Sequence, residues 1–528
     1  MEPKDWEDMS EELPVSIHGV LEHQAEVIGD KNFLFFEDRV ISYSEINRLT
    51  NRAANGLRAL GVNDGVGVAI MMPNSPEWFA AYCATQKLGS YAVPINTGLK
   101  GEGLRYILDH SDSSILIVHP DYAESIRAMA PSLAKLETII INDNETGPDW
   151  LPPEGWMRLG DLMDASEENP GGEIDPEWIS AVMYTSGTTG PPKGVVSRYK
   201  GSPVSAARLL GAFVQEGEVL YTCLPLFHAN ALFLSLVRSL VLGIPVALSR
   251  RFSASRFWDE IRRYGVTSFN ALGAMIPILM KQPERDNDAD NKVRLVFSAA
   301  CPASVWEEFE QRFGVHIVEA YAAVDGGGYM VLNVGNCPKG SFGKPSTPVR
   351  IVDDDGLDVP SGQPGELLFE VDDLKRRKVE YFNNEAAGEE RIRDGWFYTG
   401  DLVTADEAGN LYFVDRKTDS LRRRGENISS WEVEREINTH PAVLESAVFG
   451  VPSEFGEDEV MAAVVLQPGQ TLDGPELIGH CEKRMAEFML PRFVALRDSL
   501  PKTATHRVQK AVLKKEGVGP HTWDREAP

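Results

Sequence analysis

Along this chain, short apolar runs alternate with longer stretches of helical periodicity. Residues 33–43 read as two short strands joined at an Asp-Arg turn. Ser44-Glu45-Ile46-Asn47 opens a helix over 44–60, which Gly61 ends because glycine takes the left-handed conformation found past helix C-termini. Residues 66–72 read as strand, 75–89 as an amphipathic helix, 91–95 as strand, 104–111 as helix, and 114–118 and 138–141 as strands. Parallel strands need a crossover long enough to hold a helix, so this alternation predicts a parallel sheet covered on both faces. The Pro/Gly/Glu-rich residues 142–177 read as a surface excursion before a strand at 179–183.

The pattern resumes at 218–222. Residues 231–248 are the longest apolar stretch, but Arg238 and Gly243-Ile244-Pro245 break it. It reads as a buried helix and a strand, not a membrane span. A helix at 257–264, strands at 267–269 and 294–298, a helix over 305–313 capped by Ser304, and a strand at 315–318 follow. From residue 340 onward, hairpins and turns such as Gly362-Gln363-Pro364-Gly365 predict a β subdomain. Beyond Arg416, helices at 430–438 and 475–485 and strands at 442–451 and 460–467 fill one small domain, with fraying expected after Gly517. The expected fold class is α/β. A large N-terminal domain over 1–415 holds parallel or mixed sheets flanked by helices, with the β subdomain over about 340–415. A hinge at 416–420 leads to a small mobile α+β lid domain over 421–528.

Composition narrows the chemistry. The 528 residues are 43% hydrophobic, enough for a large core in more than one domain. A formal charge of −27 disfavours nucleic-acid backbones and anionic membranes, so a nucleotide site here must be locally basic. Cys83, Cys223, Cys301, Cys337 and Cys481 lie far apart with no CxxC pair, which argues against a disulfide framework or zinc site and fits a reducing compartment. Met1-Glu2-Pro3-Lys4-Asp5-Trp6 lacks an apolar signal core, so the expectation is a soluble, cytoplasmic protein.

The densest candidate chemistry is Met183-Tyr184-Thr185-Ser186-Gly187-Thr188-Thr189-Gly190-Pro191-Pro192-Lys193-Gly194. Glycines let successive N–H groups converge on an anion, hydroxyls add donors, and Lys193 adds a point charge, so the stretch reads as a polyphosphate cradle. It is not a Walker loop, because Pro192 stands where that motif puts glycine.

This segment resembles the phosphate loop of the adenylate-forming superfamily, which includes acyl-CoA ligases, luciferases and peptide-synthetase adenylation domains. Further segments carry the resemblance in the family's order over roughly residues 15–515. Pro225-Leu226-Phe227-His228 is similar to the signature whose histidine joins the ATP and carboxylate sites. Ala299-Ala300-Cys301-Pro302 and Tyr321-Ala322-Ala323-Val324-Asp325 resemble segments lining an adenine pocket; a tyrosine among small residues makes a slot for a flat base. Two positions depart from the usual Tyr-Gly-x-Thr-Glu. Val324 lacks the hydroxyl, and Asp325, the expected Mg²⁺ ligand, is one methylene shorter. Trp396-Phe397-Tyr398-Thr399-Gly400-Asp401-Leu402 matches the ribose motif, where a carboxylate accepts from two vicinal hydroxyls, with Arg416 adding a donor.

By the same resemblance, ATP falls to Thr185, Ser186, Gly187, Thr188, Thr189, Gly190, Lys193, Ala300, Cys301, Glu319, Ala320, Tyr321, Val324, Asp401 and Arg416. The acyl group falls to His228, Asn230, Ala299, Ala322, Ala323 and Gly326. Lys417 and Thr418 form the hinge. Arg424, Gly425 and Glu426 face the pantetheine of coenzyme A, and the run Arg422-Arg423-Arg424 offers charge to its phosphates. In Leu500-Pro501-Lys502-Thr503-Ala504-Thr505-His506-Arg507-Val508-Gln509-Lys510, Arg507 aligns with the family's catalytic lysine and His506 replaces a glycine, leaving either Arg507 or Lys510 for that role.

The resemblance implies an AMP-forming acyl-CoA ligase that uses Mg-ATP, CoA and a carboxylic acid. The carnitine/crotonobetaine ligase-like branch is nearest, on Phe252-Ser253-Ala254-Ser255-Arg256-Phe257-Trp258, Met280-Lys281-Gln282-Pro283 and Arg424-Gly425-Glu426-Asn427. Ala229, Ala231, Ala271, Gly273 and the small residues at 322–328 predict a roomy acyl pocket for a bulky or elongated apolar acid, fatty, aryl or steroid-type. Transfer to an amine or carrier protein and a non-catalytic nucleotide binder are the rival readings. No nucleic-acid partner is expected, and a homodimer stays open.

Overall fold

The computed structural model describes all residues except 1–12, 145, 147–149, 186–190, 202, 273–274, 300, 302, 323–328, 354, 372–378, 417–419, 455, 502–507, 509 and 528. Two mixed sheets build the large N-terminal domain. In the first, the order is Met157–Arg158, Thr138–Ile141, Ser113–Val118, Gly67–Met71, Tyr91–Pro94, Ile179–Thr185, Lys193–Arg198. All neighbours there are parallel except the last pair. The second runs Met330–Asn333, His316–Ala322, Leu295–Ala299, Ser268–Leu272, Leu220–Thr222, Val246–Leu248, Asn32–Phe36, Arg39–Ser42, with only the two outer pairs antiparallel.

One apolar core takes in residues of both sheets, with the helix Pro76–Lys87 between them. The sequence predicts an amphipathic helix there, but all its residues are buried. Its run Trp78-Phe79-Ala80-Ala81-Tyr82-Cys83-Ala84 is apolar all round, as a helix packed on every side must be. Its two charged residues are matched: Arg39 lies 2.8 Å from Glu77, and Lys87 lies 2.6 Å from Glu22.

Other expectations shift. The helix Tyr43–Ala59 starts at a capping box: Ser42 Oγ accepts from the Glu45 N–H, and the Glu45 carboxylate accepts from the Ser42 N–H. The helix Ala303–Phe313 begins before Ser304, so that residue lies within its first turn and not ahead of it. Residues 142–177 are more than an excursion, since they carry the edge strand Met157–Arg158 and the helix Leu159–Met163 with Leu159 and Leu162 buried. The tail does not fray as expected. Trp523–Asp524 pairs with Phe493–Arg497, and Trp523 packs so closely on Gly474 that no Cβ fits there.

A five-stranded antiparallel sheet follows the two mixed ones, spanning Val349–Val352 to Leu411–Arg416. The smaller C-terminal domain is a four-stranded sheet, Val443–Pro452, Asp458–Leu466, Phe493–Arg497 and Trp523–Asp524, carrying the helices Ser430–Asn438, Gly474–Cys481 and Lys510–Glu516. Its hairpin, Ser420–Arg423 with Glu426–Ser429, turns toward the N-terminal domain. Lys281 meets Glu454 at 2.8 Å across the same boundary. Among the described residues, no helix is long and apolar enough to cross a membrane.

Glu432, on the helix Ser430–Asn438, borders a cleft shared with Leu99, Lys100 and Gly103. Burial pushes its carboxyl up to about 7 from an ordinary 4.5; Arg435 opposes the rise and Glu436 adds to it. Ionising it in the folded state is therefore costly. The cost is absent below the unfolded value, grows as pH rises, and is complete above the folded one. Glu432→Gln should be neutral at pH 4 and stabilise the protein at pH 8 by roughly 3–4 kcal/mol, at about 1.4 kcal/mol per pH unit between the two values. Thermal melts of both proteins across that range check this; equal gains at both ends would sink it.

Candidate active site

The strands Ile179–Thr185 and Lys193–Arg198 form an antiparallel hairpin whose connecting loop is the expected phosphate cradle. Its register opposes Thr185 to Lys193, and directly opposed residues share one face, so both side chains leave the hairpin on the same side at the loop's base. Lys193 Nζ lies 5.2 Å from the centre of the Tyr381 ring. Gly194 is required by close packing: a Cβ there would meet Val182 Cγ1 at 2.6 Å. Ser186, Gly187, Thr188, Thr189 and Gly190 lie outside the described residues.

Leu224 to His228 follow the strand Leu220–Thr222, and a residue unforeseen in sequence holds them. Buried Asn74 donates to the Leu224 and Ser249 carbonyls at 2.9 and 2.8 Å, and its Oδ1 accepts from the Leu226 N–H at 2.9 Å. Only the polar, turn-forming Pro73-Asn74-Ser75 after a strand hinted at it. His228 directly precedes the helix Ala229–Ala231, and Asn230 Oδ1 accepts from Asn270 at 2.9 Å.

The adenine and ribose motifs meet. Tyr321 donates to Asp401 Oδ2 at 2.6 Å and stacks on Phe342 with ring centres 4.8 Å apart. Asp401 is 3% exposed, and its N–H donates to Thr399 Oγ1 at 3.0 Å. Gly400, at φ 73°, makes the turn before it. Arg416 is opposite Asp401 in register; its side chain lies outside the described residues. Glu319 is buried and accepts from the Cys301 N–H at 3.2 Å, so this carboxylate holds the neighbouring loop in place. Ala299 is half-buried, Ala320 is half-buried and Ala322 is exposed. Ala300, Ala323, Val324, Asp325 and Gly326 lie outside the described residues.

The hairpin of the C-terminal domain brings a further set to this site. Arg423 pairs with Glu426 across a two-residue turn, Arg424 at φ 53° and Gly425 at φ 81°, the left-handed pair of a type I′ turn. Glu426 Oε2 reaches His228 Nε2 at 2.9 Å and Asn96 Nδ2 at 3.2 Å. The three arginines expected to offer charge to CoA phosphates divide. Arg423 is 1% exposed and bound to Glu459 at 2.7 Å and the Leu490 carbonyl at 3.0 Å, so it is a strut inside its own domain. Arg422 stands 3.6 Å from Glu457. Arg424 is exposed, 3.2 Å from Glu526. Lys510 binds Glu434 at 2.7 Å and Ser430 at 2.6 Å, while Arg507, Lys417 and Thr418 lie outside the described residues.

A cavity of about 840 Å³ runs beside these groups. His228, Leu272, Arg424, Gly425 and Glu426 line it, together with Arg256 of the segment 252–258 and with Arg250, Arg251, Arg263 and Tyr264, which no sequence motif marked. Four carboxylates, Glu37, Asp121, Glu260 and Glu426, line it too, and Arg250, Arg256, Arg263 and Arg424 each have a carboxylate partner, so its charge is close to balanced in a chain of net charge −27.

Residues 21–373 match the AMP-binding enzyme family, and residues 432–507 match the AMP-binding enzyme C-terminal domain. The chain belongs to the AMP-binding enzyme family. Within it, the adenylate-forming acyl-CoA ligase superfamily recognised from the motifs is the right one. The chain is 31% identical to the medium/long-chain-fatty-acid–CoA ligase FadD6 of Mycobacterium tuberculosis, over 96% of this chain and 86% of that protein. It is 30% identical to the crotonobetaine/carnitine–CoA ligase of Salmonella paratyphi A, over 93% and 97%. Among solved AMP-binding enzymes, it resembles a double mutant of o-succinylbenzoate CoA synthetase (MenE) from Bacillus subtilis bound with its product analogue OSB-NCoA. That likeness has a TM-score of 0.78 at 28% identity, covering 94% and 98%. Against the same synthetase in complex with AMP the TM-score is 0.65, at 28% identity, covering 95% and 98%.

Proposed function

We propose that this chain is an ATP-dependent carboxylic acid:CoA ligase, and that the arrangement described is the one that makes the thioester. The observation that carries this is the contact of Glu426 with His228: it seats the hairpin expected to face CoA on the histidine expected to face the acyl group. The arginine-lined cavity beside them suits the phosphates of CoA, and the greater likeness to the synthetase holding a CoA product analogue supports the same arrangement.

In this reading the acid attacks the α-phosphorus of Mg-ATP, pyrophosphate leaves, and CoA then displaces AMP. Lys193 and the N–H groups of the cradle neutralise phosphate charge, Asp401 and Tyr321 hold the ribose side, and Asp325 would hold Mg²⁺ on the phosphates. Rotation at Lys417 and Thr418 would exchange the two half-reactions. A bulky or elongated apolar acid, or a carnitine-like one, fits the small residues Ala299 and Ala322 and the two named relatives. A cytoplasmic setting suits five cysteines that form no disulfide with one another.

For adenylation, Arg507 is the better candidate because it is the residue that aligns with the family's lysine, with Lys510, which binds Glu434 in the arrangement described, as the alternative. Arg507→Ala should cut ATP–pyrophosphate exchange by about 10²-fold or more, the range of a removed transition-state donor, and Lys510→Ala by less than tenfold. The reverse order would transfer the role to Lys510.

The test of function is incubation with Mg-ATP and a panel of carboxylic acids, with and without CoA, read by mass spectrometry. The expected result is AMP and one class of acyl-CoA. Acyl-adenylate that CoA never consumes would point to an amine or carrier-protein acceptor, and neither product from any acid would overturn the ligase reading.

A further inference from the structure

We infer that Glu426 is the base that takes the proton from the CoA thiol, an assignment that rests on the reading of CoA as acyl acceptor. His228 Nε2 and Asn96 Nδ2 both approach the same carboxylate oxygen, Oε2, at 2.9 and 3.2 Å. An ionised carboxylate only accepts, so Nε2 carries the hydrogen and donates it. Oε1 has no hydrogen-bond partner among the described residues, and Glu426 lines the cavity with its side chain only 16% exposed. A carboxylate pinned through one oxygen and open at the other is positioned to receive a proton from whatever enters that cavity.

The second half-reaction needs such a group. The thiolate is the nucleophile, yet an ordinary thiol ionises near about 8.5 and is only a few per cent ionised at neutral pH. The step balances without a further reactant. The S–H proton passes to Glu426 Oε1, and the sulfur electron pair forms the bond to the adenylate carbonyl carbon. The bond from that carbon to the phosphate oxygen breaks, AMP leaves with its electron pair, and Glu426 returns the proton to solvent. Because Glu426 belongs to the hairpin of the C-terminal domain, the base reaches the acyl site only when that hairpin is seated. Water meeting the adenylate before then finds no base at this position.

A latch that merely fastens the hairpin to His228 would use the same contacts, so the test must separate charge from fastening. Glu426→Gln keeps an acceptor oxygen for both donors but cannot take a proton. The experiment mixes enzyme carrying preformed acyl-adenylate with CoA in a single turnover, from pH 6 to pH 9. At pH 7 the glutamine variant should be slower by about 10²-fold, within the range for lost general-base catalysis, and should recover about tenfold per pH unit as the thiol ionises by itself. ATP–pyrophosphate exchange should stay within twofold. Glu426→Asp should keep the wild-type profile shape at reduced rate. The charged and ionisable groups that face Glu426 are shared by all variants: His228, Arg424 on the same hairpin, Glu457 against the Gly425 N–H, and His119, Asp121, Tyr122, Glu260 and the arginines across the cavity. A glutamine profile parallel to wild type, or an aspartate variant with the glutamine profile, would reduce Glu426 to a latch and overturn the assignment. Wild-type enzyme that forms adenylate but never thioester would instead overturn the CoA reading, and this role with it.

Discussion

Replacing Asp401 by alanine lowers kcat/KM for acyl-adenylate formation by roughly 10²–10⁴-fold. The carboxylate is 3% exposed, fixed by the turn at Gly400, and meets the Tyr321 hydroxyl at 2.6 Å. Hydrogen bonds to a charged group contribute about 1.5–3 kcal/mol each, and a ribose presents two hydroxyls to this one acceptor. Losing both removes about 3–6 kcal/mol, and every 1.4 kcal/mol or so is tenfold in rate. Tyr321→Phe removes only the tyrosine's bond to that carboxylate and should cost about tenfold. Lys193→Ala should match the Asp401 loss, since it withdraws the one described cation at the base of the cradle strands. ATP–pyrophosphate exchange reads all three variants. Turnover that survived both the Lys193 and the Asp401 changes would place the nucleotide elsewhere.

The residues behind that expectation were legible in sequence for a physical reason: Tyr321 and Lys193 sit near strand ends and Asp401 follows the positive-φ Gly400 at an irregularity within its strand, and such backbone chemistry is local. The same holds for the elements Phe257–Tyr264, Thr138–Ile141 and Ser430–Asn438, whose periodicity alone fixed their bounds. What stayed hidden depends on partners far along the chain. The Tyr321–Asp401 bond spans 80 positions, Asn74 to Leu224 spans 150, and His228 to Glu426 spans 198. The helix Pro76–Lys87 shows the same limit, because a mixed composition does not reveal that sheets cover both sides and that Arg39 and Glu22 match its charges. Trp523 lies in a polar tail and looks dispensable until Gly474 is found beneath it. Arg423 and Arg424 are adjacent and chemically identical, yet one is a buried strut and the other faces a cavity. Arg423 ends its strand and Arg424 begins the turn at φ 53°, so the change of backbone conformation between them sends their side chains in different directions.

Gly425→Val should abolish thioester formation while leaving adenylation within about threefold. Gly425 sits at φ 81°, where a β-branched residue is strained, and a Cβ there would come within 2.7 Å of Leu272 Cδ1. The end of a leucine side chain can yield to one methyl group, so alanine would be a mild test. Valine adds two methyls on the wall of the cavity that CoA must enter, and a left-handed position for such a residue costs on the order of 1–3 kcal/mol by itself. The turn then relaxes away from its type I′ shape, and Glu426, the next residue, loses its line to His228. Among the described residues, Thr185 and Lys193 make no hydrogen bond or ion pair to this turn, so acid, ATP and pyrophosphate should still interconvert. The signature is enzyme-bound acyl-adenylate that accumulates in the presence of CoA, with acyl-CoA output down by 10²-fold or more. Equal losses in both half-reactions would show that the hairpin also serves adenylation, and unchanged thioester output would show that CoA reaches the acyl group by a path that avoids Gly425.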